Sequence, residues 1–329
     1  MTGRASVFSD DRVIKILTEQ FIPVADNCTF TQIQRDAEGE FFRKMAEQGH
    51  YSGRTKPTGT RQGLYACTSE GELLASINTT RVEHVLSMLN KALKKWNEMN
   101  PTADVPASYE KDRNFNRSFP EGALILRETM RDIPRKDKSS DEVQIWKHNF
   151  DHLWIRKEEA QALIPDNPKA GMEYEAPKEL VRRIAQYHLV DQVRGEAPPW
   201  HDKHIQKAGL TLRVESVNEN ALKIRLEGHA LLEADPTGQT NPYSGFKIDM
   251  KRGMDATIKG VIRYNRKTNA FEQFDMVAAA SRWGATTYNF RQNDLGPAPI
   301  GFAFELIPSE PRNQTPPKFL LGTYFRNGN

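Results

Sequence analysis

Between residues 210 and 307, apolar and polar side chains change places at every second position in five segments. These are LTLRVESV, ALKIRLEGHALLEA, ATIKGVIRYN, AFEQFDMVAA and IGFAFELI. Successive side chains of a β-strand point to opposite faces, so this period predicts antiparallel strands with one face on a core and the other in water. Polar stretches such as YNRKTNAF separate the segments, as hairpin connections require. Elsewhere the period lengthens to three and four. Val82, Val85, Leu86, Leu89, Leu93 and Trp96 line one face of a helix over 80–98, with Thr80 and Glu83 as a capping box at its start. Helical spacing also runs through 177–192 and through 141–164, where Val143, Trp146, Phe150 and Leu153 form an apolar stripe. The intervening NPTADVPASYEKDRNFNRSFPEG holds three prolines and no apolar period, which predicts a linker.

The first third is patterned differently. Val13, Ile14, Ile16 and Leu17 predict a helix over 10–19, and FIPVAD at 21–26 a short strand. A second helix, QIQRDAEGEFFRKMAEQG, is expected to bury Ile33, Phe41, Phe42 and Met45 and to stop at Gly49. GLYACTSEGELLASIN reads as a hairpin turning at Gly71, followed by the helix over 80–98. The order helix, strand, helix, hairpin, helix, with VFSD leading into FIPVAD, resembles the thioredoxin-like fold over residues 6–98. In that family the attacking cysteine sits at the start of the active-site helix, where backbone N–H groups and the helix dipole favour the thiolate. The resemblance puts that position before residue 6, where MTGRA has no cysteine, and puts Gly63 where the family has a cis-proline. It also leaves out the strand that normally precedes the active-site helix. What it implies is therefore a thioredoxin-like domain with a degenerate site.

Composition narrows the function classes. The 329 residues, 38% hydrophobic and 27% charged, suffice for two ordinary domains. The 46 basic and 43 acidic residues leave a net charge of +3, which gives no electrostatic footprint for nucleic acid or an anionic membrane. No apolar run approaches the roughly 18 residues that span a bilayer. MTGRASVFSDDR lacks the apolar core of a signal peptide, so the expected compartment is the cytoplasm as the chain is given, or outside it if the N-terminus is truncated. Two cysteines without a C-x-x-C spacing form no disulfide framework.

Four groups of residues invite a chemical reading. Cys28 opens CTFT, which parses as a monothiol C-x-x-T able to form mixed disulfides, or as a small half-buried side chain at a strand end. Cys67 lies within the apolar LYAC and reads as structural. His148 and His152, four apart on the expected helix, share a wet face with Asp151; with His201 or His204 of WHDKH as a third ligand they make a transition-metal reading, but two solvated histidines are the plainer one and no metal is expected. His188 and Asp191, one helical turn apart, form either a core histidine satisfied by a carboxylate or an acid–base pair with Arg194 to hold an anion. Trp283, Tyr288 and Phe290, with Arg282 and Arg291, make a loop that lines a ligand pocket or, as we prefer, covers the open edge of the sheet.

The sequence thus predicts an α/β thioredoxin-like domain over 1–100, a linker over 101–120 and an α+β domain over 121–329 built on an antiparallel sheet or half-barrel. The function expected is a non-catalytic thioredoxin-like module fused to a domain that binds a small ligand or a protein, without cofactor. The alternative is an enzyme, either a monothiol oxidoreductase using Cys28 or a hydrolase-like site around His188 and Asp191.

Overall fold

The computed structural model describes residues 7–8, 10–26, 28–52, 60–79, 81–99, 119–135, 148–241, 244–310, 313–320 and 323–325. The chain divides into two compact units, Thr2–Ser118 and Phe119–Asn329. The expected linker over 101–120 falls, but for its last two residues, outside the described residues, as do Thr80 of the capping box and the stretch 136–147.

In the N-terminal unit α1 (Asp11–Gln20) starts at Asp10, whose carboxylate accepts the Arg12 N–H. A short α2 (Cys28–Thr31) and α3 (Ala37–Glu47) follow, the latter capped by Asp36 through the Gly39 N–H. The hairpin of β1 (Leu64–Cys67) and β2 (Leu73–Ile77) turns through Gly71, whose φ of +80° is open to glycine without strain. The closing helix α4 (Val82–Met99) packs Val85, Met88, Leu89 and Ala92 against Val13 of α1 and Ala66, Leu74 and Ala75 of the hairpin.

Two expectations fail in this unit. Residues 21–26 are not a strand: Ile22 and Val24 are 92% and 85% exposed, and the hairpin is a two-stranded sheet that does not include them. Pro23 has no N–H to give a ladder, and alternation alone cannot hold an extended segment without a neighbour. α3 begins at Ala37 and buries Gly39, Met45 and Ala46, leaving Phe41 and Ile33 on the surface. Its inward face is set by the hairpin it packs on, not by its largest side chains.

The second unit is one open, eight-stranded antiparallel sheet. Its strands are β3 (Leu124–Asp132), β4 (Asn149–Ile155), β5 (Glu173–Glu175), β6 (Ile205–Val217), β7 (Ala221–Ala234), β8 (Arg252–Asn265), β9 (Ala270–Trp283) and β10 (Ala298–Ile307), in the order β4-β3-β10-β9-β8-β7-β6-β5. The five segments that alternate in sequence are the long strands β6 to β10. On β7, Leu222, Ile224, Leu226, Ala230 and Leu232 are buried while Lys223, Arg225 and Glu227 face out. The inward face is covered by α5 (Lys157–Gln161), α6 (Lys178–Arg183), a π-helical turn (Ile184–His188) and the segment to Trp200, through Leu180, Ile184, Leu189, Val193 and Trp200.

The helix expected over 141–164 is, where described, the edge strand β4 followed by the short α5. Alternation is hidden in NFDHLWI because both of its faces are covered. Leu153 and Ile155 enter the main core, and Trp154 on the other side packs with Phe119, Phe319 and Tyr324. Four strand positions span about 13 Å. His148 and His152 are therefore too far apart along β4 to share an ion, and the helical spacing that suggested it does not exist. The exposed rim of β4 is managed by the C-terminal segment, whose Tyr324 hydroxyl accepts the Trp154 N–H at 3.2 Å.

Candidate functional site

The covered face of the sheet carries charge in two places. At the first, Glu128 of β3 points inward between Leu126 and Met130, and Asp151 of β4 lies directly across from it in the ladder. His188, the last residue of the π-helical turn, descends on both. One ligand atom from each of the three lies within 4.8 Å of the others. His188 Nδ1 is 2.7 Å from Glu128 Oε2, and its Nε2 is 2.9 Å from the Tyr324 hydroxyl. Asp151 Oδ1 accepts the backbone N–H groups of His152 at 2.8 Å and Lys318 at 2.9 Å. Glu128 Oε1 is buried and has no hydrogen-bond partner.

Burial dominates the electrostatics here. It lowers His188 to about 3, with help from the charges of Arg183 and His152. It also raises Glu128 well above the usual carboxyl range, with help from Asp151. The contact between them is thus a hydrogen bond of two neutral groups rather than an ion pair. Arg183 stands beside the cluster, paired with Glu159 at 2.5 and 2.8 Å, and donates from Nε to the Tyr324 carbonyl at 2.8 Å. Its guanidinium lies 5.1 Å from the Tyr324 ring and 4.6 Å from the Phe325 ring. Tyr324 therefore ties three parts together. Tyr324→Phe removes the hydroxyl that serves both the Trp154 N–H and His188, and is expected to lower stability by roughly 1–3 kcal/mol in urea denaturation; an unchanged midpoint would show that neither bond matters.

The second place lies at the C-terminal end of β3. Arg291, fully buried, donates to Asp191 from Nε and Nη2, each at 2.8 Å, and to Asp132 from Nη1 at 2.9 Å and Nη2 at 2.7 Å. Arg194 reaches Asp132 at 2.9 Å and Asp294 at 3.1 Å. Arg135 also pairs with Asp294, at 2.9 Å, and Arg282 pairs with it too. Burial alone would raise Asp132, but the hydrogen bonds and charges of Arg291 and Arg194 more than offset it and hold the carboxyl below its ordinary value. Glu159 is likewise buried yet held low by Arg183 and Arg156. A folded-state pKa below the unfolded one stabilises above the unfolded value and loses that stability as pH falls through the folded one. Stability should accordingly decline below about pH 4.5 for Glu159 and below about pH 4 for Asp132. Asp132→Asn should flatten the second part of that decline in pH-dependent denaturation; a slope identical to wild type would exclude Asp132 as its source.

The structure separates the pair that the sequence put together. His188 bonds Glu128 and Tyr324, while Asp191 bonds Arg291. The helix ends in the wide π turn, and Leu189 at φ −87°, ψ 60° breaks the twist, so a step of three residues no longer returns to one face. Arg194, expected to hold an anion, is taken up by Asp132 and Asp294. The loop after β9 joins the neighbouring central strands β9 and β10 and reaches the segment after the π turn, with Arg291 on Asp191. Trp283 lies over Gly253, where an added Cβ would come within 2.0 Å of its ring. Tyr288, 44% exposed, pairs its backbone with Glu196. Cys28 is partly buried at the first residue of α2, and burial raises the thiol of Cys67. His201 and His204 sit together, ring centres 5.1 Å apart. A shallow groove of about 600 Å³, lined by Glu173, Thr211, Arg213, Glu215, Arg225 and Glu227, opens on the outward face of β5–β7 and includes none of these candidates.

Sequence reasoning passed over Glu128, Tyr324, Asp132 and Asp294. One signal was available: in LILRETMRD the glutamate stands at an inward position between Leu126 and Met130. Comparison with protein-family models, with curated proteins and with solved structures finds no match to this chain.

Proposed function

We propose that the protein is a non-catalytic binding protein, in which a degenerate thioredoxin-like module over residues 6–98 accompanies a β-sheet unit that docks a protein partner on its outward face. The observation that carries this reading is the surface of that face. At its centre stand Val277, 55% exposed, and the small residues Ala279, Gly301 and Ala303. Around them charged residues are matched within the sheet, as in Arg127 with Glu305 at 2.6 Å and Arg225 with Glu215 at 3.0 Å. An apolar centre within a polar, charge-balanced rim suits a protein surface better than a polyanion. The groups that an enzyme of the alternative kind would use are engaged elsewhere: both ring nitrogens of His188 are hydrogen-bonded, and Asp191 and Arg194 belong to the ionic network.

Val277→Glu and Ala303→Glu test the reading. Both positions are exposed, so stability should stay within about 0.5 kcal/mol of wild type, while a cross-linked partner complex recovered with the wild-type chain from its native cells should be lost. An oxidoreductase assay on glutathione mixed disulfides runs beside it. Turnover by wild type that disappears in Cys28→Ser would replace the binding reading with the monothiol one.

A further inference from the structure

We propose that Glu128, Asp151 and His188 form a structural binding site for one divalent transition-metal ion, of the class of Zn²⁺. This stands apart from the docking role of the outward face, because the three residues lie on the opposite, covered side of the sheet.

Donor chemistry comes first. Two carboxylates and one imidazole suit a borderline first-row dication better than Mg²⁺ or Ca²⁺, which favour all-oxygen shells. Charge balance agrees, since an ion that displaces the proton from Glu128 meets two buried carboxylates around a neutral imidazole, two negative charges that one dication cancels. The neighbouring guanidinium of Arg183 is already committed to Glu159. A buried, uncompensated carboxylate is costly, so the site calls for either an ion or a proton.

Geometry is permissive. Ligand atoms about 2.1 Å from one ion stand at most about 4.2 Å apart, and the three here already lie within 4.8 Å, so a contraction of under an ångström suffices. The unpartnered Glu128 Oε1 is the observation that separates this cluster from an ordinary polar network. A chelating Glu128 gives that oxygen a partner and, with one oxygen of Asp151 and Nδ1 of His188, completes four protein donors. Four protein ligands without an open position mark a structural site rather than a catalytic one.

The surroundings are those of an oriented ligand set. His188 holds its other nitrogen against the Tyr324 hydroxyl, and Asp151 is fixed by two backbone N–H groups. Glu128 and Asp151 sit on a paired strand position, so their spacing is set by the ladder rather than by flexible loops.

The test uses the full chain, stripped with a chelator and titrated with Zn²⁺ in competition with a chromophoric chelator. We expect one equivalent bound per chain and, with free Zn²⁺ near a hundred times the dissociation constant, a rise in melting temperature of about 5–10 °C. Co²⁺ should bind in its place with the visible absorption of a four-coordinate site, and Mg²⁺ should leave the melting temperature where it was. Glu128→Gln and, independently, Asp151→Asn should each abolish both the equivalent and the rise, whereas His204→Gln should leave both intact. Stoichiometry well below one, persistence of binding in Glu128→Gln, or its loss in His204→Gln would overturn the proposal. Failure to bind together with a more stable Glu128→Gln would identify the occupant as a proton. None of these outcomes depends on whether Val277 and Ala303 contact a partner.

Discussion

Replacing Arg291 by methionine is expected to destabilise the β-sheet unit by about 3–5 kcal/mol, the cost of breaking a buried ion pair by removing one member. Arg291 is fully buried and makes four hydrogen bonds of 2.7–2.9 Å to two aspartates that come from different parts of the chain, Asp132 at the end of β3 and Asp191 beyond the π turn. Burial disfavours its charge, but the charge of Asp191 and the hydrogen bonds to Asp132 and Asp191 prevail and raise its pKa, so the guanidinium stays ionised. Methionine fills a similar volume and leaves Asp132 and Asp191 without the donors that hold them. Lysine keeps the charge and loses the planar fork that serves two carboxylates at once, so Arg291→Lys should also destabilise. Urea denaturation followed by tryptophan fluorescence measures both, and a loss below about 1 kcal/mol for Arg291→Met would show that the network contributes little net stability.

Trp154→Ala should cost a comparable amount, roughly 3–5 kcal/mol, for a different reason. The ring is fully buried on the outer side of the edge strand, 5.1 Å from the Phe119 ring in an edge-to-face arrangement and clustered with Ile125, Tyr187 and Tyr324. Removing it empties the volume that joins β4 to the C-terminal segment. Its Nε1 has no hydrogen-bond partner, so no polar bond is lost with the ring and Trp154→Phe should recover most of the stability. Hydrogen exchange adds a local readout: the Trp154 N–H, held by the Tyr324 hydroxyl, should exchange faster in the alanine variant. Equal stability of the alanine and phenylalanine variants would mean that the ring's volume is not what holds the segment.

The five long strands were legible because each has one dry face and one wet face, so a period of two is written into residues such as Leu222 to Leu232 on β7. The helices α1 and α4 were legible for the same reason at a longer period. β4 was not, because the C-terminal segment covers its second face and erases the alternation, leaving Phe150 and Leu153 at a spacing that mimics a helix; on β3 the burial alternates, but charged Glu128 stands at an inward position and hides the pattern. FIPVAD failed the other way: its pattern is that of a strand, but a strand needs a neighbour, and the pattern cannot supply one.

The candidate site shows the same division more sharply. Sequence alone determined that His188 belongs on an inward helical face and needs a partner for its ring. Spacing offered Asp191, three residues away, but the π turn and the conformation of Leu189 turned that carboxylate toward Arg291, a hundred residues further on. The true partners, Glu128 and Tyr324, lie 60 and 136 residues from His188. Local period fixes which side of an element a residue faces; which other element waits on that side is decided by the order of strands in the sheet and by the closing of the C-terminal segment over its edge, and a single sequence carries no physical signal for either.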